Sequence, residues 1–288
     1  MSSAKKPFAG LALALAAVAS ACASTGQSQA DKELAQAVEA ALAPAPQAER
    51  DAANRADPLT RANFWSKEYQ KDPQNIETAL QFADALRAMG SQERALDVVT
   101  KTLVIHPGNP DLLMVNGRIR MAEGKYEAAR SSFEQVTRAA PERADGWAAL
   151  GTAFDQMEMH RQAQANYQRA LAIEPSRMTT LTNYGLSLLL SGDLPGAEAQ
   201  LRNAAAQPGA GSRVTENLAL VIGLQGRFDE MKEVSTQNAP DRVAEQNAAL
   251  LRGLVQPARS YDALKGNSDT TGTTSPGAKR QLRGTLNP

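Results

Sequence analysis

The sequence holds one cysteine, two histidines and 5% aromatic residues in 288, and its 31 basic side chains are matched by 31 acidic ones. Each shortage excludes something. A single thiol forms no internal disulfide, and with two imidazoles it does not supply the usual His/Cys zinc site. Zero net charge gives no general attraction to nucleic acid. His106 and His160 are far apart in sequence, each at or near a helix end. The H-E-x-x-H, G-x-S-x-G and G-x-x-x-x-G-K-[ST] patterns are missing, and Gly209-Ala210-Gly211 follows no strand, so it is a connection and not a phosphate cradle. With 42% hydrophobic residues the chain can still bury a core. The expectation is a folded protein that is not an enzyme and uses no metal or cofactor.

The N-terminus has the order of a bacterial export signal. Lys5 and Lys6 precede the apolar run Phe8 to Ala19, followed by Ser20, Ala21 and Cys22. As a helix that run is about 18 Å long, short of the roughly 30 Å hydrocarbon core, so residues 1–21 are expected to be removed. Ala19, Ser20 and Ala21 suit ordinary signal peptidase, while Ala-Ser-Ala-Cys resembles a lipoprotein lipobox with Ala19 in place of the usual Leu. We take the second reading. The only thiol then falls at the first mature position, where diacylglyceryl attachment anchors the chain; two or more acyl chains, at about 0.8 kcal/mol per buried CH₂, hold stably. Ala23 after Cys22 points to the periplasmic face of the outer membrane. Residues 22–57 read as a flexible periplasmic tether, with at most a short helix around Leu34, Val38 and Leu42 before Pro44 and Pro46. Residues 255–288 are rich in Ser, Thr, Gly and Pro with five basic and two acidic side chains, the composition of a disordered tail.

The middle repeats. Pro73, Pro107, Pro141 and Pro175 recur every 34 residues, and Pro208 arrives one residue early. Ala95, Ala129, Ala163 and Ala197 keep the same step, as do Val99, Phe133, Tyr167 and Leu201. Gly90, Gly124, Gly192 and Gly226 form another column, with Glu158 in its one gap. Paired helices need small residues where their axes cross, which Gly117, Gly151, Gly185 and the alanines supply, and large residues beside them. The glycine column fits a left-handed turn ending the first helix. One such hairpin cannot bury its own apolar face, so the hairpins must stack.

These columns resemble the tetratricopeptide repeat, most fully in Trp147, Leu150, Gly151, Phe154, Ala163, Tyr167, Ala170 and Pro175. The resemblance implies an all-α, right-handed superhelix of about five stacked hairpins at 76–109, 110–143, 144–177, 178–210 and, degenerate, 212–240. Helical caps are expected at 58–75, opening on Asp57 and Pro58, and at 241–254, where Val243, Asn247, Leu250 and Leu251 form the stripe to be buried. Trp65 and Trp147 read as core. Family geometry lines a concave groove with the first helix of each unit, here Arg87, Arg118, Met121, Thr152, Asp155, Thr182, Leu186, Leu189, Arg213, Glu216 and Leu220, among others. Leu186, Leu189 and Leu220 would either dock an amphipathic or extended peptide or lie beneath the C-terminal helix.

Residues 183–230, with Ser191-Gly192-Asp193, Gln207-Pro208-Gly209, Asn217 to Leu220 and Gly223 to Phe228, further resemble the TadD family, and Asn63-Phe64-Trp65 and Asn247 to Arg252 fit it too. These are tetratricopeptide lipoproteins of the tight-adherence (Flp pilus) secretion system. The likeness covers about residues 58–254. It implies a non-catalytic outer-membrane factor that binds protein partners of that machine, such as the secretin. The alternative is an adaptor lipoprotein that recruits or regulates a cell-wall enzyme.

Overall fold

The computed structural model describes residues 28–255, and among them the protein is built of fourteen α-helices with no strand. The expected signal segment, the expected lipidation site Cys22 and the expected tail from residue 256 lie outside the described residues. Five hairpins form the body: α4 (Ile76–Ala88) with α5 (Gln92–Ile105), α6 (Pro110–Ala122) with α7 (Tyr126–Ala139), α8 (Ala144–Gln156) with α9 (His160–Ile173), α10 (Met178–Leu190) with α11 (Leu194–Ala205), and α12 (Ser212–Leu224) with α13 (Phe228–Ser235). Every first helix starts 34 residues after the last, and so does every second helix. The early Pro208 is absorbed because α11 has 12 residues where α5, α7 and α9 have 14.

The repeat is written into the backbone. Gly90, Gly124, Glu158, Gly192 and Gly226 all have positive φ, with Glu158 at +59° the one non-glycine among the described residues. After each, the next amide hydrogen-bonds back into the ending helix, from Ser91 to Leu86, Lys125 to Arg120, Met159 to Phe154, Asp193 to Leu188 and Arg227 to Ile222. An L-residue costs roughly 1–2 kcal/mol in this conformation. Glu158→Gly is therefore expected to raise stability by about 1 kcal/mol, less glycine's own entropy cost, as a shift in the urea midpoint at constant slope would show.

Contacts divide the chain into two compact units, residues 1–140 and 141–288. In the first, α3 (Pro58–Lys71) begins 34 residues before α5, so Trp65 takes the large-residue place of Val99 and is 1% exposed. Its cap is as expected: Asp57 accepts the amides of Leu59 and Thr60, with Pro58 at the first helical position. Trp65 packs with Ala79, Phe82, Ala83, Leu86, Val98, Val99 and Leu112. In the second unit, Leu188, Leu201, Leu218, Ile222, Phe228, Met231 and Val234 share a core with Leu251 of α14 (Asp241–Val255).

The flexible tether expected through residue 57 is corrected for its later part. Two helices occupy that stretch, α1 (Gln29–Leu42) and α2 (Gln47–Arg55). The sequence anticipated a short helix at α1; α2 is new. It buries Ala53, and Asn54 accepts the indole N–H of Trp65 at 2.9 Å. The turn between α1 and α2 is clamped to α3, where buried Glu68 accepts the Ala45 amide at 2.8 Å and pairs with Lys71 at 2.6 Å. Burial pushes the Glu68 carboxyl up, but the Ala45 amide, Lys71 and Arg50 outweigh it and hold the group below its ordinary value of 4.5. A depressed carboxyl stabilises the fold above the unfolded value and loses that contribution as pH falls through the folded one. The α2–α3 packing is thus expected to loosen below about pH 4.5. Glu68→Gln should flatten this acid limb, followed by Trp65 emission in a Trp147→Phe background.

Candidate functional site

No described helix is long and apolar enough to cross a membrane, and no group of three or more His, Cys, Asp or Glu among the described residues is placed to hold a metal. The residues expected to line a groove fall three in the first unit and eight in the second.

In the first unit Arg87 lies 3.5 Å from Asp84, which also meets Arg61 at 3.4 Å. Arg118 is exposed and Met121 half-buried. In the second unit Thr152, Asp155 and Thr182 turn inward, whereas Arg213 and Glu216 stay exposed. Asp155 accepts the Tyr167 hydroxyl at 2.9 Å and the Ser187 hydroxyl at 2.7 Å, and His160 Nδ1 lies 2.9 Å from it. Thr152 donates to the Ala148 carbonyl and sits 3.3 Å from the Tyr167 hydroxyl and 3.4 Å from the Asn183 amide. Asp155 and Thr152 are thus a polar clamp joining α8, α9 and α10. Burial, followed by the Asp155 charge, keeps the Tyr167 phenol protonated far above its usual range. Thr182 is buried and donates to the Met178 carbonyl. Trp147 is only half-buried: its N–H donates to the Pro141 carbonyl at 2.8 Å, and the Arg169 guanidinium stands 4.7 Å over its ring.

The apolar members behave differently. Leu186 is half-buried, and half-buried Leu189 packs on the core. Leu220 stays 38% exposed, and Arg213 and Glu216 are exposed beside it. The C-terminal helix covers this region only in part, because it docks one residue out of the expected register. Its buried stripe is Ala244, Ala248 and Leu251, so Val243, Asn247 and Leu250 face outward and the stripe read from the sequence holds only at Leu251. The small alanines let α14 come close: Leu251 reaches the backbone of α12, where a Cβ on Gly223 would lie 2.4 Å from Leu251 Cδ2. The Arg252 guanidinium, 4.7 Å over the Phe228 ring, fixes the helix on α13.

This register leaves a cleft of about 340 Å³ between α12, α13 and α14. Ala219, Leu220, Met231, Leu250, Leu251 and Leu254 form its apolar walls, with Glu216, Ser235 and Asn247 as polar residues. Leu250 and Leu254 are 68% and 69% exposed. Of these residues the expected groove contained Glu216 and Leu220. Met231 and Leu254 were not candidates, although Leu250 and Leu254 are spaced for one face of a helix.

The family model of the tetratricopeptide repeat matches residues 111–143 and 144–177. The chain is 29% identical over 85 residues to the Vi polysaccharide export protein VexE of Salmonella typhi, a match that covers 30% of this chain and only 13% of that protein's length. Solved structures with similar folds include MamA, at 20% identity and TM-score 0.50 over 58% of this chain and 96% of that one. Another is a thermophilic tetratricopeptide protein of Thermus thermophilus, TTC0263, at 22% identity and TM-score 0.50 over 61% and 97%. A third, the APC/C hetero-tetramer Cut9-Hcn1, matches at 16% identity and TM-score 0.55 over 66% and 39%. These likenesses concern the fold. The chain therefore carries tetratricopeptide repeats, matched outright at 111–177 and continued in register by the hairpins before and after them.

Proposed function

We propose that the protein is a lipid-anchored scaffold of the periplasmic face of the outer membrane, which binds a component of the tight-adherence pilus machine such as its secretin and helps it assemble. The observation that carries the binding role is the open apolar cleft at Leu220, Leu250 and Leu254, whose side chains remain exposed after α14 has docked. A cleft of about this size, with apolar walls and a few polar groups, suits an amphipathic helix or an extended apolar segment of another protein. The pilus assignment rests on the likeness of residues 58–254 to the TadD family, and the anchor on Ala19 to Cys22.

Deleting the gene and following surface pili and secretin multimers tests the assignment. Loss of both, restored by the native chain but not by Leu220→Asp/Leu254→Asp, is the expected result. Both substitutions fall on exposed side chains, so circular dichroism and the melting temperature should stay near native. Normal pili in the deletion strain would reject the pilus role, and altered cell-wall hydrolysis in its place would favour an adaptor for a cell-wall enzyme.

A further inference from the structure

The helix nearest the expected lipid attachment point has an apolar face that the rest of the protein leaves bare. No residue of α1 is buried, and Leu34, Val38 and Leu42 are 65%, 50% and 56% exposed. At 100° per residue these three side chains, with Ala30, Ala35 and Ala41, fall on one face, which Asp31 shares in the first turn and Glu39 borders, while Lys32, Glu33, Gln36 and Ala40 fall on the other. The helix is firmly started, since Ser28 accepts the Asp31 amide and the Asp31 carboxylate accepts from the Ser28 amide and hydroxyl. Its far end is held by the clamp on Glu68 and by Lys71, which donates to the Ala43 carbonyl at 3.0 Å.

We propose that α1 lies along the membrane surface with Leu34, Val38 and Leu42 inserted among the lipids, so that the first unit is held against the bilayer and does not swing on a long leash. The proposal rests on the anchoring of Cys22 given above. Six residues separate Cys22 from Gln29, and fully extended they reach about 25 Å at most, little more than the ~21 Å length of α1 itself. A lipid on Cys22 therefore keeps this apolar face within reach of the headgroups, where insertion becomes an intramolecular event. The charge on α1 fits apolar insertion better than attraction to anionic lipid, because Asp31, Glu33 and Glu39 outnumber Lys32. A second copy of the chain, the other occupant such a face could take, is an outcome of the test.

The test uses the full chain, expressed with its signal, carrying Val38→Cys and placed in vesicles of phosphatidylethanolamine and phosphatidylglycerol. A lipidated Cys22 thiol is blocked, so the introduced thiol alone takes an NBD fluorophore. Its emission should shift to the blue and be quenched by a lipid-borne quencher, while the same label at Ala199→Cys, on exposed α11 surface, stays water-like. Adding Leu34→Ser and Leu42→Ser should abolish the shift while the protein still floats with the vesicles. Water-like emission from position 38 in protein whose mass shows the lipid on Cys22 would overturn the surface helix and leave the anchor standing. A mass showing unmodified Cys22 would overturn both. A blue shift that needs no vesicles and grows with protein concentration would overturn the proposal in favour of self-association.

Discussion

Replacing Tyr167 with alanine is expected to lower stability by about 3–5 kcal/mol and to abolish cooperative melting of the second unit. The ring is 1% exposed and fills the space over Gly151, where a Cβ would lie 2.7 Å from Tyr167 Cε1. Its hydroxyl donates to Asp155, which also holds Ser187 on α10. Removing the side chain opens a cavity and takes a donor from a clamp shared by three helices. Tyr167→Phe separates the two effects. It keeps the packing and should cost about 1.5–3 kcal/mol, the range for losing one hydrogen bond to a charged group, since Asp155 keeps Ser187 and His160 as partners. Paired urea titrations of the two variants give the split. An alanine variant within about 1 kcal/mol of the native protein would mean that this column does not carry the hairpin.

The converse change is expected to be nearly as damaging. A Cβ on Gly117 would stand 2.3 Å from Phe133 Cε1 and 2.7 Å from two further ring atoms, and Phe133 is itself 1% exposed. The ring has no room to retreat, so Gly117→Ala should cost about 1–3 kcal/mol through overpacking, although alanine is the better helix former. Gly185→Ala, whose Cβ would stand 2.8 Å from Cγ of the fully buried Leu201 and 3.2 Å from the Ala197 carbonyl oxygen, should cost a similar amount. Trimming the obstacle in Gly117→Ala/Phe133→Leu should recover part of the loss. The coupling from the double-mutant cycle measures the contact directly.

These pairs explain why the hairpins were legible in the sequence. The left-handed turn at Gly90, Gly124, Gly192 and Gly226 and the small-against-large crossings at Gly117 with Phe133 and Gly151 with Tyr167 are requirements on single residue types, and they recur every 34 positions. Even the exception at Glu158 keeps the turn. What the sequence left hidden depends on neighbours. Gln47–Arg55 is polar and looks like tether, yet one alanine and the Asn54 side chain are enough to seat it against Trp65. In α14 the leucines suggested the buried face, but the close approach to Gly223 selects Ala244 and Ala248 and turns Leu250 outward.

The candidate site shows the same limit. A polar residue at a groove position of the repeat either faces a partner or ties helices together, and the residue type does not say which. Asp155 and Thr152 have their hydrogen bonds taken within the fold. Leu220, by contrast, is left open because α13 has only 8 residues and α14 docks in a shifted register. The surface best suited to a partner thus arises where the repeat ends, at the place where periodicity stops being a guide.

Photocross-linking in living cells tests whether the cleft holds a partner, with a benzophenone amino acid placed at Leu250 in the cleft and, as a control, at Ala199 on exposed α11. The expected result is a covalent adduct with a tight-adherence component such as the secretin from Leu250 and none from Ala199. Equal adducts from both positions, or none from Leu250 in cells that make pili, would contradict it.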